Sequence, residues 1–181
     1  MSSATDPYQP IETKLGLTRS VLEVLAERQP RLVIQTRGPL VERDFDLLLR
    51  FKKVRLNMSI TTDSDEVRKQ FEPGCASIER RLATVAAARR LGITTTVCVM
   101  PMLPVENPSR FAEMIRATNT NYVTAGSFRH SDRPFAASTR QPALDLAREC
   151  GWTKESVERA RRIMWLCLPD VDHSGRGWMP E

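Results

Sequence analysis

The stretch from Val54 to Pro104 constrains the fold of this chain more than any other. It holds two segments rich in Val, Ile and Thr, at 54–61 and 93–100, and about thirty residues with helical periodicity separate them. Two parallel strands need a long crossover, because the chain must return to the edge where the first strand began. The stretch therefore predicts a βαβ unit whose two strands lie in a parallel sheet.

The crossover is predicted to contain a short helix over 62–71 and a long helix from Ser77 to Leu91. Gly92 follows the long helix and suits the left-handed conformation with which helices often end. A stripe at spacings of three and four residues is predicted to be buried, and it comprises Ile78, Leu82, Val85, Ala86 and Arg89. Three further arginines lie outside the stripe and are predicted to face water, namely Arg80, Arg81 and Arg90.

The alternation of helix and strand extends upstream of this unit. We expect a helix capped by Thr18, a strand at 32–36, and a second helix over 40–51. The polar side of that second helix includes Asp44, which is predicted to be exposed. Helices and strands in this order are typical of a parallel α/β barrel or a doubly wound sheet.

The alternation also continues downstream, and then it stops. Asn107 is predicted to cap a helix, and a fourth strand follows at 122–126. Residues 127–141 show no clear period, and two helices are predicted over 142–150 and 154–166. We therefore predict an α/β region at 1–126 and a C-terminal helical extension at 127–181 that packs on it.

Charge and hydropathy limit the partners of the chain. The 181 residues include 27 Lys and Arg and 22 Asp and Glu, and most of the cations are arginines, which suit phosphate and carboxylate recognition. An anionic ligand or a nucleic acid is therefore one interpretation of the charge, and arginines scattered over a solvated surface are the other. Because there is neither an apolar run of eighteen residues nor a signal-peptide pattern, we expect a cytoplasmic protein with no membrane partner.

The four cysteines do not form a metal-binding motif. Cys75, Cys98, Cys150 and Cys167 are far apart in sequence, and no pair has the spacing of a zinc knuckle, a redox pair or a cluster loop. We interpret them as structural thiols. The residues therefore predict no metal site.

Ligand-facing groups in parallel α/β folds gather where the strands reach their carboxyl ends. Here those positions supply small hydroxyls, arginines and a histidine: Thr36, Arg37, Ser59, Thr61, Thr62, Met100, Pro101, Gly126, Ser127, Arg129 and His130. Paired carboxylates, a nucleophilic elbow and a glycine-rich phosphate loop are missing from this set. The positions predict a pocket rim, and they assign no catalytic residue and no reaction.

Each prominent position has a structural interpretation beside a functional one. Arg37 either holds an anionic ligand group or pairs with a nearby acid. Ser59 either faces the pocket or bonds to backbone in the core. His130 with Asp132 is either an acid–base pair or a surface neighbour, and Glu72 either contacts a ligand or shapes the turn at 72–74.

An ordered series of segments resembles a known family. The series comprises Thr5–Glu12, Arg43-Asp44, Ser59–Thr62, Phe71–Gly74, Arg80–Leu82, Gly92-Ile93, Pro101–Pro104, Arg133–Arg140, Gly151-Trp152 and Gly177–Pro180. Together these segments are similar to the radical SAM proteins of the spore photoproduct lyase (DNA repair photolyase-like) group. The resemblance covers essentially the whole chain in order.

The resemblance implies a partial TIM-like parallel barrel that lacks its first βα unit and carries a C-terminal helical extension. It also implies two cofactors, a 4Fe-4S cluster and S-adenosylmethionine, which is cleaved to a hydrogen-abstracting adenosyl radical. By the same resemblance, Thr5 and Asp6 hold the methionine amino group and Arg37 faces the methionine carboxylate. Ser59 lies on the strand whose end faces the nucleoside, and Met100 completes the predicted cofactor-binding set.

The 181 residues depart from the family at the cluster. The family holds iron with three cysteines in a CxxxCxxC loop upstream of the Thr-Asp-Pro-Tyr motif, and this sequence has no such loop. A cysteine that donates hydrogen beside the Thr-Asp step in spore photoproduct lyases is replaced near that place by Ala4. We therefore expect the S-adenosylmethionine half of a radical SAM barrel, from a truncated or split gene, that is inactive alone.

Two partners follow from these expectations. An upstream-encoded polypeptide that carries the cluster is the partner expected for an enzyme. The alternative is a non-enzymatic α/β domain that binds nucleic acid or a protein through its arginines and an exposed sheet edge. A barrel hydrolase or aldolase fragment is disfavoured, since no carboxylate, lysine or metal constellation is present.

Overall fold

A computed structural model describes residues 5–128 and 139–174 of the chain. Its centre is a sheet of four parallel strands that neighbour one another in chain order, β1 to β4. The strands are β1 (Leu32–Thr36), β2 (Val54–Ser59), β3 (Thr94–Val99) and β4 (Tyr122–Ala125). The α/β class and the partial parallel barrel are confirmed, and the sheet does not close into a barrel within the described residues.

Helices connect the strands and follow the fourth one. They are α1 (Glu12–Leu15), α2 (Leu17–Arg28), α3 (Phe45–Leu48), α4 (Asp65–Phe71), α5 (Ile78–Arg90), α6 (Pro108–Arg116), α7 (Gln141–Glu149) and α8 (Lys154–Cys167). A 3₁₀ helix, Pro39–Asp44, precedes α3. Within the described ranges, none of these helices combines the length and the apolar character that a membrane span requires.

Local sequence explains where several helices begin and end. Ser64, Ser77, Asn107 and Thr153 each accept a hydrogen bond from the backbone N–H three residues later, at the starts of α4, α5, α6 and α8. Gly92 follows α5 with a φ of 85°, a conformation that favours glycine. The predicted Asn107 cap and the predicted glycine stop are therefore confirmed.

Three upstream predictions were wrong. Thr18 does not cap a helix, because α2 begins at Leu17, and the Thr18 hydroxyl donates to the Pro7 carbonyl at 2.6 Å. The single helix expected over 40–51 is instead a 3₁₀ helix followed by one α-helical turn. Asp44, which was expected to be exposed, is fully buried because two arginine side chains meet it there.

The two faces of the sheet differ in polarity. Alternate residues of a strand point to opposite faces, and the register places Ile34 beside Leu56, Met58 beside Val97 and Asn57 beside Thr96. One face is apolar and includes Ile34, Leu56, Met58, Val97 and Val123. The other face is also largely buried, yet it is polar and includes Gln35, Arg55, Asn57, Ser59, Thr96, Cys98 and Thr124.

The C-terminal helices pack against the α/β region. Helix α8 packs on α6, and the indole Nε1 of Trp152 donates to the Met102 carbonyl at 2.9 Å. Beyond α8, the backbone N–H of Val123 in β4 donates to the carbonyl of Asp172 at 3.0 Å. A boundary after residue 126 stays a prediction, and residues 129–138 and 175–181 lie outside the described residues.

Candidate functional site

The segment before α1 is fixed on the end of β1 by the carboxylate of Asp6. Its Oδ1 accepts the hydroxyl of Thr36 at 2.6 Å and the backbone N–H of Tyr8 at 2.9 Å, and its Oδ2 accepts the backbone N–H of Arg37 at 2.7 Å. Hydrogen bonds to a carboxylate are stronger than those between neutral groups. Asp6 therefore joins the N-terminal segment to the carboxyl edge of the sheet, the edge formed by the last residues of the strands.

The backbone of the N-terminal segment also lies very close to Gly38, at Tyr8. Tyr8 is buried at 3% exposure, and a Cβ placed on Gly38 would lie 2.6 Å from the Tyr8 carbonyl oxygen. That distance is shorter than any real Cβ contact, and the neighbour is backbone, which cannot rotate away. Only glycine fits at position 38 without moving the segment that carries Asp6.

Asp44 is a fully buried carboxylate close to the Tyr8 side chain. Its Oδ1 and Oδ2 accept from Arg43 at 2.8 and 2.9 Å, and Oδ1 also accepts from Arg19 at 3.1 Å. Burial alone favours a neutral carboxyl, but the two guanidinium groups outweigh it and lower the pKa of Asp44 below its ordinary value. Burial, and then the charge of Asp44, raise the pKa of the Tyr8 phenol.

The carboxyl edge also carries a chain of charges centred on Glu72. Glu72 Oε1 lies 3.2 Å from Nε of Arg37, and Glu72 Oε2 accepts from Nη1 of Arg81 at 3.0 Å. The same Nη1 donates to the Ser59 carbonyl at 2.9 Å. Glu72 thus bridges two arginines, and with the carboxylate of Asp6 beside Arg37 the edge carries two cations and two anions.

Arg81 is the feature that the sequence pattern missed. It was predicted to face water, but the structure buries it completely, because Glu72 and the end of β2 lie across from α5. Its Nε and Nη2 are buried and have no hydrogen-bond partner among the described residues. A buried donor without a partner costs about 1–3 kcal/mol, and more for a charged group, so these atoms mark a place where an acceptor would be stabilising.

Small groups complete the carboxyl edge. The hydroxyl of Ser59 accepts from Gln35 Nε2 at 2.9 Å, and the hydroxyl of Thr61 is buried with no partner in the described part of the chain. The side chain of Met100 packs against Gly126, where an added Cβ would lie 3.0 Å from its terminal methyl carbon. Hydroxyl, guanidinium and thioether groups therefore lie along one edge of the sheet.

A cleft of about 480 Å³ opens beside this edge. It is lined by the N-terminal segment, the end of β1 and the turn after Glu72, with Asp6, Tyr8, Arg37, Gly38 and Cys75 among its residues. Burial is the main cause that raises the pKa of the Cys75 thiol. The cleft is open to solvent and largely apolar, with Arg37 as its exposed cation.

The described cysteines do not fit an iron–sulfur cluster. Cys75, Cys98, Cys150 and Cys167 are all free, and they lie in the α4–α5 loop, in β3, after α7 and at the end of α8. Among the described residues, no three His, Cys, Asp or Glu side chains come together as a metal site. Since a 4Fe-4S cluster needs several converging thiolates, these residues cannot hold one.

Most of the predicted cofactor-binding residues lie at the carboxyl edge of the sheet. Arg37, Ser59 and Met100 lie at the ends of β1, β2 and β3, and Asp6 is bound to the end of β1. Thr5 is exposed beside Asp6. Their roles toward a cofactor stay predictions, and the candidates Arg129, His130 and Asp132 lie outside the described residues.

Fold and site together define an open parallel α/β sheet with a cluster of charged and polar side chains at the carboxyl ends of its strands. The family model of the Radical SAM superfamily matches residues 7–118. The chain therefore belongs to the Radical SAM superfamily. That part of the sequence-based resemblance is confirmed, whereas membership of the spore photoproduct lyase group stays a prediction.

Relatives are found in archaea, viruses and bacteria. The uncharacterized protein MJ0683 of Methanocaldococcus jannaschii is 32% identical over 104 residues, which are 58% of this chain and 40% of that protein. The uncharacterized protein ORF301 of Acidianus two-tailed virus is 32% identical over 117 residues, or 64% of this chain and 37% of its own length. The Radical SAM Nalpha-GlyT isomerase of Pseudomonas phage M6 is 30% identical over 103 residues, or 57% of this chain and 22% of that enzyme.

A solved structure has the same fold. The structure of SuiB from Streptococcus suis bound to S-adenosylmethionine superposes with a TM-score of 0.53 over 93% of this chain and 41% of that protein. Sequence identity is 10%, so the match concerns the fold alone. The chain spans less than half the length of each of these similar proteins.

Replacing Gly38 with Ala is expected to destabilise the domain by about 2 kcal/mol, because the new Cβ collides with the Tyr8 backbone. Urea unfolding followed by circular dichroism measures the change. Gly74→Ala is the matched control, since a Cβ at Gly74 meets nothing within 4 Å. Equal stability of the two variants would contradict the proposed close approach.

Asp44→Asn is expected to cost about 2 kcal/mol at pH 7, because it removes a fully buried carboxylate that bonds to two partly exposed guanidinium groups. The folded-state pKa of Asp44 lies below its ordinary value. Its contribution is therefore complete above about pH 4, near the unfolded-state pKa, and is lost as pH falls through the folded-state pKa. Unfolding free energies between pH 6 and 3 should fall less steeply in Asp44→Asn than in the wild type.

The exposed end of the same network supplies a control. Asp46 pairs with Arg19 at 2.8 Å, and its side chain is 59% exposed. Asp46→Asn should therefore cost no more than about 1 kcal/mol at pH 7. A larger cost for Asp46→Asn than for Asp44→Asn would show that burial does not govern this network.

Proposed function

We propose that this chain is the S-adenosylmethionine-binding part of a radical SAM enzyme of the spore photoproduct lyase-like group. The proposal rests on one observation above all, the buried guanidinium of Arg81, whose Nε and Nη2 have no partner among the described residues at the carboxyl edge. The resemblance implies that S-adenosylmethionine binds at this edge of the sheet. The cleft lined by Arg37 opens beside the same edge.

The free donors at the edge favour an amino-acid carboxylate. Glu72 accepts from Nη1 of Arg81, whereas Nε and Nη2 of Arg81 have no partner among the described residues. Arginine forks bind carboxylates in a bidentate manner. A ligand carboxylate near Arg81 would therefore satisfy these free N–H groups.

The other predicted residues would contact the rest of the ligand. Thr5 and Asp6 would bind the methionine amino group, and Ser59 would lie near the nucleoside. Met100 would supply apolar contact, and Arg37 would face the carboxylate from the exposed side. Since three hydrogen bonds already hold Asp6 in place, its carboxylate would approach a ligand with a fixed orientation.

Radical chemistry would need a cluster from outside the 181 residues, because the described cysteines cannot hold one. In that chemistry, S-adenosylmethionine supplies a 5′-deoxyadenosyl radical once an electron reaches it. We propose that a cluster-bearing polypeptide encoded upstream supplies the cysteines. Without it, this chain is expected to bind the ligand and leave it intact.

The surface of α2 supports such a partner. Leu17, Val21 and Val24 recur at spacings of four and three on its outer side and are 63%, 39% and 63% exposed. Ile11 and Leu15 extend the apolar surface onto the neighbouring turn at 53% and 64% exposure. Contiguous exposed apolar side chains mark interaction sites more often than free surface, and α2 leads into β1, the edge strand beside which a further βα unit would pair.

Arg81→Met is expected to weaken S-adenosylmethionine binding at least tenfold, since it removes the buried donors and keeps an unbranched apolar stem. Isothermal titration calorimetry on the purified chain measures the affinity, and Arg81→Lys should recover part of it. Arg80→Met is the matched control, because Arg80 is exposed and pairs with Glu42 away from the edge. No binding to the wild type, or equal binding to Arg81→Met with an unchanged melting temperature, would refute the assignment.

Reconstitution of the purified chain with iron and sulfide, without oxygen, is expected to give no stoichiometric 4Fe-4S absorbance. A reductant should then leave S-adenosylmethionine uncleaved, as measured by chromatography of 5′-deoxyadenosine. Adding an upstream-encoded polypeptide with the CxxxCxxC loop should produce both signals. A stoichiometric cluster on this chain alone would overturn the proposed division of roles.

A further inference from the structure

The loops that enter the strands form a second surface, at the opposite end of the sheet from the candidate site. We call it the amino face and define it by segments 28–31, 49–53 and 89–93, which lead into β1, β2 and β3. Parallel strands all begin at the same edge, so these three segments lie next to one another. They contain seven basic residues and no acidic one: Arg28, Arg31, Arg50, Lys52, Lys53, Arg89 and Arg90.

These seven cations account for the basic character of the whole chain. The sequence has 27 Lys and Arg and 22 Asp and Glu. Apart from the amino face, the remaining 20 cations are outnumbered by the 22 acids. The positive charge is therefore concentrated on one face, rather than scattered over a solvated surface.

Gln29 fixes two of the loops against each other. It has a left-handed backbone at the end of α2, and its Nε2 donates to the Arg50 carbonyl at 3.0 Å. Its Oε1 accepts the backbone N–H of Lys52 at 2.9 Å, and the backbone N–H of Leu32 donates to the Lys53 carbonyl at 3.0 Å. The basic residues of these loops are thus presented together from a defined backbone.

Salt bridges neutralise many of the cations outside the amino face. Arginines that pair with carboxylates include Arg19, Arg43, Arg68, Arg80 and Arg81. Among the described residues, no side chain of the amino face forms a salt bridge, and Arg89 donates only to backbone carbonyls. Six of the seven cations are exposed, all except the half-buried Arg89. Unpaired, exposed like charges repel one another, and an external polyanion would relieve that repulsion.

The shape of the face favours an extended anion over a small one. A cleft of about 260 Å³ lies among the loops, with Lys52, Lys53 and Gly92 on its walls, but the cations are exposed around it and do not converge. Neighbouring strands are about 4.8 Å apart, so three loops and their long side chains span several phosphates of a nucleic-acid backbone. Glu27 and Asp172 lie at the borders of the face and limit its extent.

The residues of the face also indicate how a nucleic acid would be bound. Phe51 is the one aromatic residue in the three segments, and it is buried at 6% exposure, so no ring in them is available for stacking on bases. Leu49 and Leu91 are half exposed and offer no hydrogen bonds to base edges. Contact would therefore be made with phosphates, which position a nucleic acid without reading its sequence.

We propose that the amino face binds the phosphate backbone of a double-stranded nucleic acid, without sequence preference. The surface lies at the other end of the strands from Arg37 and Arg81, so the binding is independent of the proposed cofactor site. A nucleic acid bound there would lie at the amino ends of the strands, away from the cleft lined by Arg37 at their carboxyl ends. Engagement of four to five phosphates predicts a slope of about −4 for the logarithm of affinity against the logarithm of salt concentration.

Fluorescence anisotropy of a labelled 20-base-pair DNA duplex, titrated with the full chain between 50 and 200 mM NaCl, tests the proposal. The double variant Lys52→Gln and Lys53→Gln should lose at least tenfold in affinity at 50 mM NaCl. Its salt slope should fall by about 2, because two phosphate contacts are lost. A duplex of different sequence should bind equally well.

The matched control changes the same charge elsewhere. Lys154→Gln with Arg159→Gln removes two exposed cations from α8 and should leave both affinity and slope unchanged. Equal losses in both double variants would overturn the proposal, since net charge alone would then explain binding. Absence of binding at 50 mM NaCl would overturn it as well. So would tighter, Lys52-dependent and Lys53-dependent binding to vesicles containing phosphatidylserine, which would assign the face to a membrane.

Discussion

The parallel register of β1 to β4 is the constraint on which both surfaces of this domain depend. Each strand bonds to the next in chain order, so every strand begins at one edge and ends at the other. The connections into the strands carry cations with no salt bridge among the described residues, whereas the carboxyl edge carries Arg37 and Glu72 and is bound to the segment that contains Asp6. The amino face and the carboxyl edge therefore differ in their charges, and the length of a strand separates them.

Local patterns in the sequence were sufficient to predict four strands in a parallel sheet. Runs of β-branched residues, the Asn107 cap and Gly92 report on backbone preferences that act over a few residues, and the strands and helices follow them closely. Arg81 and Asp44 show where such reasoning ends. Each was expected to be exposed because it is charged, but each is buried because its partner, Glu72 or Arg19, comes from a different element. A single sequence does not reveal which distant charges will meet.

The candidate site shows the same division. Arg37, Ser59 and Met100 were identified because parallel folds expose strand ends, a rule that needs only the order of elements. The polar inner face of the sheet was missed, because Thr, Ser and Asn in a strand indicate β-structure without indicating which face they line. Register decides that, and register depends on pairing across the whole sheet. One face of the sheet is accordingly polar although it is largely buried.

Trp152 gives the C-terminal extension influence over the candidate site. Its indole N–H is bonded to the Met102 carbonyl, two residues beyond Met100, and the loop between them follows β3 directly. A shift of α7 or α8 would therefore act on the loop after β3 through this hydrogen bond. Changes in those two helices would reach the carboxyl edge of the sheet, while the strands themselves stay unchanged.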